Sequence, residues 1–299
     1  MRIKPVLVLL LLVAAAQAAE PGDRAAMVAA TEYLGKKLDP FYKKHASAGG
    51  LAIVSSEKVS DHALKEAAHL VGGMLAGRDD VLKALIRAKV YVGVMAYNEM
   101  TTDMPETRRM SPWWDKRARG LGGNPVTCAE ENVLNFKGDP YRGENILIHE
   151  FAHIIHGRGI GKIDKTFNPR LRALHQNAKE SGRFSGYGMV NFGEFWAEGV
   201  QSWFNCNRAG GLAVREADGK RPLQINTRDQ VKAHMPELAK LLAEVFRGNK
   251  WTYTPAVERL HQPHLKGYDP AKAPVFKWPK KVIDAFNKIE AEKRKKRKK

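Results

Sequence analysis

The apolar run from Ile146 to Ile155 is broken by His149, Glu150 and His153, and this constrains the chain more than any other feature. The run is too short to span a bilayer and too apolar for a surface, so it must be a helix built into a core. Residues four apart share one face of a helix, so His149 and His153 can hold one metal ion from the same side. Glu150 then projects beside that ion, placed to take a proton from water. Two histidines and a glutamate in a buried helix carry a heavy desolvation cost unless something binds them.

A catalytic site of this kind needs a third protein ligand and one position left for water. Position 159, ten residues after the first histidine, is Gly159, and His156 stands one turn beyond the pair, which suits a helix end or cleft better than shared ligation. Downstream, Asn191 to Phe204 shows a helical stripe at Phe195, Trp196, Val200, Trp203 and Phe204. Glu194 and Glu198 stack on one face of it, flanked by aromatics, and a buried carboxylate wants a cation. One glutamate can ligate the metal while the other accepts the second N–H of a ligand histidine. Spacing alone leaves open which does which.

His-Glu-x-x-His followed by a Glu-x-x-x-Glu helix resembles the gluzincin pattern. With Tyr187 seven residues before Glu194, the stretch 140–207 is similar to the catalytic domain of anthrax lethal factor and its relatives, which include the bacterial Pro-Pro endopeptidases. Segments 50–56, 99–106 and 113–120 resemble secreted bacterial relatives of that group. The resemblance implies an α+β, zincin-like metallopeptidase fold, mostly helical with a small mixed sheet. It also implies one Zn2+ per chain held by His149, His153 and Glu194, with Glu150 as catalytic base and Glu198 supporting a histidine. Tyr187 is then a second catalytic residue, its phenol stabilising the developing oxyanion. The expected partner is a peptide or protein substrate. The alternatives are an exported, non-catalytic polyanion- or wall-binding protein with a structural metal site, or a zinc amidase acting on wall peptides.

Residues 1–18 read as a signal peptide, with Arg2 and Lys4, an apolar stretch from Val6 to Ala16, and Ala16-Gln17-Ala18 for cleavage. A secreted or periplasmic protein without a transmembrane segment is expected. In that setting Cys128 and Cys206, the two cysteines of the chain, are expected to form a disulfide. The catalytic domain is expected over 19–287, divided near residue 100 into an N-terminal part and the part holding the metal site. A basic disordered tail is expected over 288–299, able to contact an anionic surface. The formal charge is +18, and removing the seven tail charges at 293–299 still leaves +11. No RNP-type aromatics, Cys-x-x-Cys pairs or basic recognition helix point to specific nucleic-acid binding.

Helices are expected at 22–46, Asp61–Leu75, Asp79–Arg87, about 169–180 and Thr227–Phe246, the last with a break near Pro236. Strands are expected at Leu51–Val54 and within Lys89–Ala96, the latter a central strand. An edge strand for an extended substrate is expected within Pro125–Leu134. Asn145 or Glu144 should start the His-Glu-x-x-His helix, and Gly157 and Gly159 should end it.

Overall fold

The computed structural model describes residues 32–33, 35–215 and 221–297. The expected signal peptide, residues 1–18, lies outside the described residues. The expected 22–46 helix is not observed in its described part. Glu32–Tyr33 pairs with Lys36–Lys37 across Gly35 (φ +72°), and β1 (Lys44–Ala48) follows. The apolar spacing at Tyr33 and Leu34 could not propagate as helix, because Gly35 turns the chain back and Pro40 cannot sit inside one.

Strand β1 turns directly into β2 (Leu51–Ser55), with Ala48 opposite Leu51. That leaves a two-residue turn at Gly49 and Gly50, with φ of +59° and +96°. Such a turn needs positive φ at both central positions, which two glycines supply without strain. Helices α1 (Asp61–Met74) and α2 (Asp79–Arg87) return the chain to β3 (Tyr91–Met95), which runs parallel to β2. These elements stand where the spacing predicts them. Leu51, Ile53, Val92 and Val94 face the main core, while Ala52, Val54, Tyr91 and Met95 face a smaller cluster around Tyr42 and Met104. A strand covered on both faces reads as a continuous apolar run, as Leu51–Val54 does.

After α3 (Trp113–Arg117) come β4 (Leu121–Gly122) and β5 (Val126–Ala129). The five-stranded sheet has the order β1-β2-β3-β5-β4; β5 is parallel to β3 and antiparallel to β4. The edge strand is therefore β4, upstream of the interval 125–134 in which it was expected. Within that interval β5 is an inner strand and Glu130–Val133 is a short helix. Two residues of strand show no alternation, so β4 carries no sequence signature of its own.

Helix α4 (Ile146–Ile154) packs against β5, β4 and α1, with Leu147, Ile148, Phe151 and Ala152 fully buried. Burying side chains such as Leu147 and Phe151 contributes about 1.5–3 kcal/mol each. Asn145 caps its start, accepting the backbone N–H of Ile148 at 3.1 Å. The expected stop at Gly157 and Gly159 is instead a wider π turn over Ile155–Ile160. A Cβ on Gly159 would lie 2.8 Å from Val81 of α2, so this glycine lets the turn pack closely on α2.

Helix α5 (Phe167–Glu180) leads through Phe184–Ser185, the outer strand of a three-stranded ribbon completed by Ala213–Val214 and Leu223–Gln224, to α6 (Phe192–Trp203). Helices α7 (Arg228–His234) and α8 (Pro236–Phe246) break at Met235-Pro236, as the proline implies. The tail expected to be disordered from 288 continues as helix α9 (Lys280–Arg297). Trp113 stacks on Phe286 with centroids 5.8 Å apart and donates its indole N–H to Glu290 at 2.6 Å. Lys, Arg, Glu and Ala are good helix formers, so this aromatic tether suffices where repulsion among the charges alone would melt the segment. Among the described residues, no helix is long and apolar enough to cross a membrane.

Candidate metal centre

Helices α4 and α6 lie side by side, fastened where the Trp196 indole N–H donates to the Ala152 carbonyl at 2.8 Å. Asn191 caps α6, accepting from the backbone N–H groups of Gly193 and Glu194 at 2.8 and 3.0 Å. That cap fixes the first turn and aims Glu194 at the histidines of α4.

The three expected ligands meet. His149 Nε2 lies 3.1 Å from Glu194 Oε2, His153 Nε2 lies 3.4 Å from the same oxygen, and the two Nε2 atoms are 3.3 Å apart. Tetrahedral zinc, with bonds of about 2.0–2.2 Å to nitrogen and oxygen, sets its ligand atoms roughly 3.3–3.5 Å apart. Two edges of the observed triangle fall in that range and the third, at 3.1 Å, is slightly shorter, and its donors are the borderline nitrogen and oxygen types that zinc accepts. The fit is therefore good for three protein ligands with a fourth position open to the cleft.

The orientation of His149 comes from Gln201, one turn beyond Glu198. His149 Nδ1 donates to Gln201 Oε1 at 2.8 Å, which leaves the lone pair on Nε2, facing the other two ligands. Gln201 is itself held by its amide N–H groups, which donate to Glu144 and to the Asn145 carbonyl, both at 3.3 Å. Glu198, expected to accept the second N–H of a histidine, does not make that hydrogen bond. Its Oε1 lies 3.8 Å from His149 Nδ1, and its other oxygen accepts from Asn207 at 2.8 Å. The turn after α6, with Asn205 at φ +59°, brings Asn207 back onto Glu198 and leaves the histidine to Gln201. Gln201 had a signal in the sequence, since it stands seven residues after Glu194 on the same helix face within an apolar stripe.

Charges couple tightly here. Burial works against protonating His149, yet Glu194, Glu150, Glu198 and Gln201 outweigh it and push its pKa up to about 10. Burial works to raise Glu194, but His149 and His153 hold it well below the usual carboxylate range. Burial pushes Glu150 up, against the pull of His149, His153 and Arg117, and a raised carboxyl suits a group that must both take and return a proton.

Edge strand β4 passes over this floor. A Cβ on Gly122 would lie 2.9 Å from His153 Cβ and 3.0 Å from Glu150 Oε2, and one on Gly120 would lie 2.4 Å from Ile146 Cγ2. Only glycines let the strand come so close. The cleft above the triangle has a volume of about 630 Å³, walled by Trp114 and Arg117 on one side and by Tyr141, Tyr187 and Arg208 elsewhere. Tyr187 opens a short turn before α6; it is 41% exposed, and its ring centroid lies 6.4 Å from that of His149. Burial pushes its phenol up, as does Glu194, while Arg117 beside it works the other way through charge and a hydrogen bond. Arg117 carried no signal in the sequence beyond its aromatic neighbours.

His156 stands outside the triangle, bonded to Asn168 Oδ1 at 2.5 Å. The expected disulfide is absent: Cys128 and Cys206 are both free and buried. Cys128 lies on β5, on the sheet side of α4, and Cys206 follows α6, so α4 with its ligands stands between their elements. Burial pushes both thiols up, which keeps them protonated and unreactive. Comparison with protein-family models, curated proteins and solved structures gave no match.

Proposed function

We propose that this chain is a zinc-dependent, gluzincin-type metallopeptidase with a zincin-like fold, exported from the cell, that hydrolyses peptide bonds. The observation that carries the reading is the triangle of His149, His153 and Glu194, matched to tetrahedral zinc, with the Glu150 carboxylate beside it and a cleft above. A structural metal site gains nothing from an adjacent base or from an open fourth position, so both features favour catalysis over a binding protein. When bound, zinc acidifies water and polarises a carbonyl.

The chain's own groups supply the rest. Gln201 fixes the His149 tautomer. Glu150 accepts the proton of the attacking water and returns it to the leaving nitrogen, a double role for which a carboxyl raised by burial is suited. Tyr187, half-exposed at the cleft wall, donates its O–H to the oxygen that gains charge as the carbonyl is attacked. Strand β4 and Gly120 just before it offer a backbone edge, without side chains at Gly120 and Gly122, along which an extended chain can lie.

The test is metal content and peptide-library cleavage, run on wild type and Glu150→Gln together. One zinc per chain in both, with cleavage only in the wild type, is the expected result. Zinc in both with cleavage in neither would move the reading to a binding protein or a non-peptide amide. A protein that takes up no zinc would end it.

A further inference from the structure

Two guanidinium groups line the cleft, and they are not equivalent. Arg208 is already neutralised, its Nε 2.5 Å from Glu144 Oε1 and its plane over the Tyr141 ring at 5.6 Å. Arg117 is exposed and, among the described residues, has no carboxylate within 4.0 Å, although Glu150 feels its charge. It shares the cleft wall with Tyr187, whose phenol feels its charge. A guanidinium has five N–H donors in a planar fork, so Arg117 can offer a bidentate face to a carboxylate in the cleft.

The helix that presents Arg117 is also held firmly at both sides. It ends α3, whose Asp115 is 8% exposed and accepts from the Thr102 backbone N–H and hydroxyl at 2.8 and 3.0 Å. On the far side Trp113 stacks on Phe286 and Lys116 lies over Trp278 at 4.4 Å, so α9 and the preceding segment brace the turn. A solvated surface cation gains nothing from such fixing, whereas a recognition group does.

We propose that Arg117 binds a carboxylate of the substrate, so that this cleft selects peptides with an acidic group beside the scissile bond. The inference rests on the peptidase reading. The group is an Asp or Glu side chain or a free C-terminus, because both present the same two oxygens to the fork. Arg117 lines the same cleft as Tyr187 and the ligand triangle, and its charge reaches Glu150, which places the carboxylate near the reacting carbonyl.

Binding tests this without turnover. Zinc-loaded Glu150→Gln protein is titrated into short fluorescent peptides identical except for Glu, Gln or Lys at each position in turn, each with a free or an amidated C-terminus. The carboxylate forms should bind about tenfold or more tighter than their amide isosteres. That gain should vanish in Arg117→Gln, pass to Lys-containing peptides in Arg117→Glu, and leave the amide forms within about twofold. A gain with internal Glu alone assigns a side-chain carboxylate; a gain with the free terminus alone assigns the C-terminus. No preference for carboxylate over amide, or a preference that survives Arg117→Gln, overturns the proposal, as does failure of every peptide to bind. Cleavage of the same peptides by wild type separates the two readings. Cleavage without carboxylate preference sinks the Arg117 role alone, whereas zinc with no cleavage of any peptide sinks the peptidase.

Discussion

The floor and the rim of the cleft are built on opposite principles. The floor is two buried helices, α4 and α6, each capped by an asparagine and joined through Trp196, and its ligand side chains are held by hydrogen-bonded neighbours such as Gln201. The rim is short and irregular: a five-residue helix, a two-residue strand and a turn at Tyr187, with glycines where backbone approaches side chains. Geometry that must be right to a fraction of an ångström rests on regular structure. Groups that meet the substrate sit on elements with few internal hydrogen bonds.

The largest effect should come from the floor. His153→Ala should take zinc from about one per chain to near none and activity to background, read by metal analysis beside cleavage. A His153→Ala protein that kept stoichiometric zinc would show that the triangle is not the ligand set. Glu150→Gln should keep zinc and lower kcat by about 10²–10⁴-fold, the usual contribution of a general base. The rim's share is smaller. Tyr187→Phe should lower kcat by about 10²-fold with KM little changed, as for the loss of one oxyanion donor. An unchanged kcat would make Tyr187 a wall residue only. Back on the floor, Gln201→Leu should weaken zinc affinity roughly 10–100-fold in a competition titration and leave α6 folded. If affinity holds, Glu198 has taken over the histidine.

Stripping the metal should give the smallest signal. In the metal-free protein the pKa of His149 rises to about 10, the surrounding acids outweighing burial, against about 6.5 in the unfolded chain. A raised folded-state value contributes stability that is complete below 6.5 and is lost as pH rises through 10. The Tm of chelator-treated protein should therefore fall between pH 7 and 10, while that of zinc-loaded protein stays level. Parallel curves would mean that the proton is not held where the metal belongs.

The same division explains what could be read from the chain. His149, His153 and Glu194 announce themselves because a helix converts spacing of four into a shared face, and apolar neighbours mark those polar groups as costly. The strands at 51–55 and 91–95 were legible as continuous apolar runs. Elements fixed by tertiary contact were not. In its described part, the helix expected over 22–46 gives way at Gly35 and Pro40. The edge strand is two residues of β4, too short for a pattern. The disulfide followed from the expected export, and nothing in the spacing of Cys128 and Cys206 shows that a helix lies between their elements. The basic tail read as self-repelling because Trp113, almost 180 residues away, gave no hint that it would hold Phe286 and Glu290.

The glycines in and just before β4 also bear on how a cleft like this can change over generations. Where Gly120 and Gly122 pass over Glu150 and His153, any side chain collides, so that wall is closed to mutation. New preferences have to arise on the remaining walls, from positions such as Trp114, Arg117, Tyr141 and Arg208. Homologous clefts should therefore diverge on those walls while keeping a bare backbone opposite, reading new sequences through an unchanged grip on the main chain.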